Sequence, residues 1–261
     1  MINEFIINVA DEQISDLHNK IKHTRWPDEI NDQYWSHGTK MSFLKDLSKY
    51  WVDEFNWKDQ EKKINDIGSF KFKTNSGLSI HFLHAKSDHK DAVPLVMTHG
   101  WPGSIQEFIK IIPIIEKESK IPVDIICPSL PGFGFSDKPK STGMNSKEIA
   151  KLQHELVMAL GYKKYVVQGG DWGATICNWL AYDHSKYCKA IHINCLTMRD
   201  PDGPQTKEEK EWQDRFDKDQ ITQDGYRTQQ ATKPQTLSYG MMDSPVGIAA
   251  WIIEKIHAWS D

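Results

Sequence analysis

The chain has 261 residues, 39 % of them hydrophobic and 26 % charged, with a formal net charge of −4. That length can bury a core, and the composition is that of an ordinary soluble globular protein. The 32 basic and 36 acidic residues are scattered, which excludes the basic face that nucleic-acid binding requires.

Met1-Ile2-Asn3-Glu4-Phe5 opens without a basic stretch or a long apolar run, so no signal peptide is expected. Residues 11–25 carry Ile14, Leu17 and Ile21 at helical spacing. That helix should end at Trp26-Pro27, because a residue before proline avoids the helical region. Residues 42–55 give a second helix with Phe43, Leu44, Leu47, Trp51 and Phe55 on its apolar face. Phe70–Lys73 and Leu78–Leu83 predict a hairpin around Asn75-Ser76-Gly77.

A strand–helix rhythm follows. The expected strands are Pro94–Met97, Val123–Cys127, Tyr165–Gln168 and Ala190–Ile193; the expected helices are 104–116, 146–160 and 173–183. Alternation with short links predicts an α/β fold, a largely parallel sheet with helices on both faces. After Asn194 the rhythm stops, and residues 203–261 read as polar helix or loop. Ser244-Pro245 opens a last helix there, serine as N-cap and proline at the first helical position.

Cys127, Cys177, Cys188 and Cys195 form no C-x-x-C pair, so neither a zinc ribbon nor a dithiol redox motif is indicated. Reduced thiols in a cytoplasmic protein are expected. No apolar run reaches the ~20 residues of a membrane span, so no membrane anchor is expected.

Gly169-Gly170-Asp171-Trp172-Gly173 follows a strand and opens a helix. This is the setting of a nucleophile elbow, G-x-S-x-G, with aspartate in the serine position. A carboxylate there can attack a saturated carbon, and the carbonyl of the resulting ester then belongs to the enzyme. It needs no activating base, because an ordinary aspartate is ionised at neutral pH. His99-Gly100-Trp101-Pro102 directly follows another strand. In such a fold that loop supplies one oxyanion-hole N–H and the residue after the nucleophile supplies the other. The expected donors are the backbone N–H groups of Trp101 and Trp172. His99 precedes the nucleophile and reads as a brace for the loop. Gly100, Pro102, Gly170 and Gly173 complete the structural motif.

His99-Gly100-Trp101-Pro102-Gly103-Ser104, Pro128-Ser129-Leu130-Pro131-Gly132-Phe133-Gly134-Phe135-Ser136 and Gly170-Asp171-Trp172-Gly173 resemble the microsomal-type epoxide hydrolases. So do Thr24-Arg25-Trp26-Pro27 and Asp243-Ser244-Pro245-Val246-Gly247, the latter leading into Ala249-Ala250-Trp251-Ile252. The resemblance spans essentially the whole chain. It implies an α/β-hydrolase fold with an N-terminal helical arm at 1–69, a core at 70–200 and part of a helical lid at 201–261. It implies hydrolysis of an epoxide through an ester on Asp171, with no metal or organic cofactor, and the aromatic content points to a small apolar or aromatic epoxide. Tyr226 matches a lid tyrosine that protonates the opening ring; Tyr239 is the less favoured substitute. A cis peptide at Trp101-Pro102 is implied as well.

Chain order in this fold is nucleophile, acid, histidine. After Asp171 only His184, His192 and His257 remain, and none is expected in a loop after the last sheet strand. The final strands, the acid, the catalytic histidine and a second lid tyrosine are therefore expected to be missing. The corresponding partner expectations are a homo-oligomer or a complementing C-terminal chain. The competing readings are a haloalkane dehalogenase-like hydrolase and a non-catalytic remnant that binds a hydrophobic ligand or a partner chain.

Overall fold

A computed structural model describes residues 1–30, 35–195 and 200–260. In chain order the strands are β1 Ile2–Glu4, β2 Ser69–Lys73, β3 Ser79–Ala85, β4 Val93–Thr98, β5 Val123–Pro128, β6 Tyr165–Gly169 and β7 Cys188–Ile193. The helices are α1 Asp11–Lys22, α2 Met41–Asp53, α3 Trp57–Ile67, α4 Ile111–Glu118, α5 Ser146–Ala159, α6 Trp172–Asp183, α7 Lys207–Gln223, α8 Gly225–Thr232, α9 Pro234–Asp243 and α10 Pro245–Trp259.

The contacts divide into two units. Met1–Asn8 and Lys58–Met198 form one, Val9–Trp57 and Arg199–Asp261 the other. Residues 1–8 join the first because β1 hydrogen-bonds to β2, with Ile2 opposite Phe72.

The first unit is built on one seven-stranded sheet, ordered β1-β2-β3-β5-β4-β6-β7. The β2–β3 hairpin makes that flank antiparallel, and β3 pairs antiparallel with β5. From β5 through β4 and β6 to β7 every pairing is parallel. Ile125, Ile126 and Cys127 of β5 are fully buried, as expected of a strand covered on both faces. Leu156 of α5 and Ile176, Cys177 and Leu180 of α6 pack with Val96, Ile126 and Val167 in one cluster.

The expected helix 104–116 is two pieces, a 3₁₀ turn at Ile105–Phe108 and then α4. Pro113 causes the break: it has no N–H to donate, and its ring clashes with the carbonyl of residue 109 in a continuous helix. Placed in the first turn of a new helix, it is tolerated.

In the second unit Ile21 of α1, Leu44 of α2 and Val246 of α10 form a buried cluster, with Leu17, Trp26, Leu47 and Trp51 around it. Helix α10 begins as its sequence requires, with Ser244 accepting the Gly247 N–H at 3.0 Å and Pro245 at the first position. No described helix is long and apolar enough to cross a membrane.

Candidate active site

The elbow lies where β6 runs into α6. Asp171 sits at φ 51°, ψ −127°, a conformation that costs a non-glycine residue on the order of 1–3 kcal/mol. Close backbone approach holds it there. A Cβ on Gly173 would overlap the Thr98 carbonyl at the end of β4, so the first turn of α6 rests directly on that strand. A Cβ on Gly100 would overlap the Asp171 carboxylate, so only glycine lets the loop pass against it. At Gly170 the same space holds the Asn194 side chain.

Asp171 is the N-cap of α6, yet its side chain caps nothing. Instead Oδ1 accepts the Trp101 N–H at 2.8 Å. Trp172 is the first residue of α6, so its N–H is one of the first-turn amides that helix geometry leaves without an intrahelical acceptor. The positive end of α6 favours a carboxylate at this position. The Trp101–Pro102 peptide is cis. Trp172 is 56 % exposed, and Trp101 is half-buried.

His99 is 1 % exposed. Its Nε2 accepts the Leu130 N–H at 3.2 Å, which leaves the proton on Nδ1, 3.1 Å from the Gly100 carbonyl. Both nitrogens are therefore used in tying the end of β4 to the loop after β5. Burial lowers its pKa, opposed by the Gly100 carbonyl and the Asp171 charge.

Two neighbours of the elbow were not singled out in the sequence. Glu107 feels the Asp171 charge: burial pushes its carboxyl up, the Ser104 N–H opposes this, and Asp171 adds to the rise. Asn194, at the end of β7, packs on Gly170. The signal for Glu107 was present as Ser104-Ile105-Gln106-Glu107, an S-x-x-E capping pattern. Nothing local marks Asn194.

The histidines after Asp171 are placed as follows. His184 stacks on His154 at 3.7 Å and 8°, at the far end of α6. His192 lies within β7, opposite Gln168. His257, in the second unit, stacks on Trp35 at 4.0 Å. Tyr226 also belongs to the second unit, on α8, with its ring edge-on to Trp259 at 5.3 Å and Lys255 Nζ 5.2 Å from its centroid. Tyr239 is 74 % exposed. The described residues contain no group of three or more His, Cys, Asp or Glu able to hold a metal.

Sheet order, elbow and crossing loop define an α/β-hydrolase fold with Asp171 at the turn of the elbow. The alpha/beta hydrolase fold model matches residues 93–242, and the model of the epoxide hydrolase N terminus matches residues 2–108. A putative epoxide hydrolase of Stigmatella aurantiaca is 39 % identical over all of this chain and 61 % of its own length. The crystal structure of juvenile hormone epoxide hydrolase from Bombyx mori superposes with a TM-score of 0.86 at 33 % identity, covering 100 % of this chain and 64 % of that one. The epoxide hydrolase of Aspergillus niger gives 0.90 at 30 %, covering 98 % and 69 %. The chain belongs to the epoxide hydrolase family. It spans 61 % of the length of the first of these relatives.

Proposed function

We propose that this chain carries out the ring-opening half of epoxide hydrolysis, with Asp171 as nucleophile. The observation that carries the reading is the strained elbow, which holds a carboxylate against the backbone N–H of Trp101. An Asp171 oxygen attacks a ring carbon. The C–O bond breaks toward the ring oxygen, and the phenol of Tyr226 supplies that oxygen with a proton. The product is an ester on Asp171. When water adds to the ester carbonyl, the Trp101 and Trp172 N–H groups stabilise the oxyanion. Gly100, Pro102, Gly170 and Gly173 keep the backbone in place, and His99 acts as a brace.

The complete reaction to a vicinal diol also needs a base for water. His99 has both nitrogens committed to backbone, and His184 is stacked on His154. Neither is placed as that base, and a complementing C-terminal chain is the partner proposed to supply it. Small apolar or aromatic epoxides are the proposed substrates, supported by the two tryptophans flanking Asp171. In this reading residues 1–69 serve as the arm and residues 201–261 as part of the lid. No metal or organic cofactor enters this scheme. Four unpaired cysteines, three of them buried, support a cytoplasmic location.

The test compares an aryl epoxide with a chloroalkane, in the native chain and in Tyr226→Phe. Loss of the proton donor should slow ester formation with the epoxide by about 100-fold, and the chloroalkane should not react. A chloroalkane ester formed equally fast by both proteins would favour the dehalogenase-like reading.

A further inference from the structure

The loop that presents the Trp101 N–H to Asp171 needs something to hold it on its outer side. Its first residue is fixed by His99, which is tied to Leu130. Its last residue, Ser104, is the N-cap of the 3₁₀ turn and accepts the Gln106 N–H at 3.2 Å. Glu107 stands in that first turn and donates its own N–H to the Ser104 carbonyl at 3.1 Å. Its carboxyl turns back along the loop, where the Ser104 N–H holds its pKa down against burial. On the way it fills the space over Gly103, where a Cβ would overlap Oε1. The carboxyl thus lies over the residue that follows the cis Trp101–Pro102 peptide.

That placement has an electrostatic cost. Two carboxylates near each other repel, and both burial and the Asp171 charge push the Glu107 pKa up. A helix cap alone does not require a second acidic group near a nucleophile, and a neutral amide would accept the Ser104 N–H as well.

We propose that Glu107 is a positioning residue: with its carboxyl seated over Gly103, it holds the loop so that the Trp101 N–H reaches Asp171. The catalytic benefit rests on the function proposed above, but the placement of the amide does not. What matters in this role is an acceptor of the right length. Glu107→Gln therefore keeps it, whereas Glu107→Ala removes the acceptor and Gly103→Ala displaces it.

The test measures hydrogen exchange at the Trp101 amide in the unreacted chain, alongside the rate of ester formation from an aryl epoxide. Glu107→Ala and Gly103→Ala should speed exchange at Trp101 by roughly tenfold with the urea midpoint of unfolding little changed, and slow the ester by a similar factor. Glu107→Gln should match the native chain within about threefold on both readouts. Native exchange at Trp101 in folded Glu107→Ala, or a Glu107→Gln chain as impaired as Glu107→Ala, would overturn the inference. If exchange responds as stated while the native chain forms no ester, Glu107 still positions the loop and the proposed chemistry fails instead.

Discussion

Asp171 is held by three separate constraints. Its backbone is strained at φ 51°, its carboxylate is bonded to the Trp101 N–H, and two glycines admit the neighbouring backbone. Gly173 carries the heavier demand, because a Cβ there meets the rigid carbonyl of Thr98 at the end of β4 rather than a side chain that could swing away. Gly173→Ala should therefore push α6 off β4. The expected loss is about 1–3 kcal/mol of stability, the usual range for an overpacked interior, together with ester formation. Urea unfolding measures the first. An unchanged midpoint would mean that α6 is not seated on β4 as described.

At the scale of elements, β2, β3 and the loop after β5 meet on one buried histidine. His81 is 0 % exposed, with Nε2 2.9 Å from Ser69 Oγ and Nδ1 2.9 Å from Ser129 Oγ. Burial, helped by Lys71, lowers its pKa from 6.5 to about 4. The folded state thus favours the neutral ring. The contribution of His81 is complete above pH 6.5 and is lost as the pH falls toward 4. Linkage puts the whole effect on the order of 3 kcal/mol, with about 2 kcal/mol gone by pH 5. Urea midpoints at pH 7 and pH 5 measure it, and His81→Asn should flatten the difference. A slope unchanged by that substitution would contradict the assignment.

The same scale decides what could be read from sequence. Strands β4 and β6 and helix α6 were legible because an apolar run, a glycine turn and a helix start stand next to each other there. Helix α3 was not: only Glu61 and Ile64 are buried along it, so it presents no apolar stripe to find. Strand β1 has three residues and no fully buried one, and it exists only because β2 offers a partner. Within the site, Asp171 and the His99–Pro102 loop were legible as local motifs. Glu107 over Gly103 and Asn194 over Gly170 were not, because those contacts arise only when side chains meet in the folded chain.

At the scale of the whole molecule, Asp171 and the loop bonded to it belong to one unit, and Tyr226 belongs to the other. Strand β7 pairs with β6 on one side, and among the described residues nothing pairs with its other side. Such an edge is open to pairing with a further strand. The most direct test of the central claim is the intact mass of the purified chain after exposure to a small aryl epoxide, with Asp171→Asn alongside. One stable adduct of the epoxide's mass, mapped to the peptide carrying Asp171 and absent from the variant, is the predicted result. A folded chain that never gains mass, or an adduct that persists in Asp171→Asn, would contradict it.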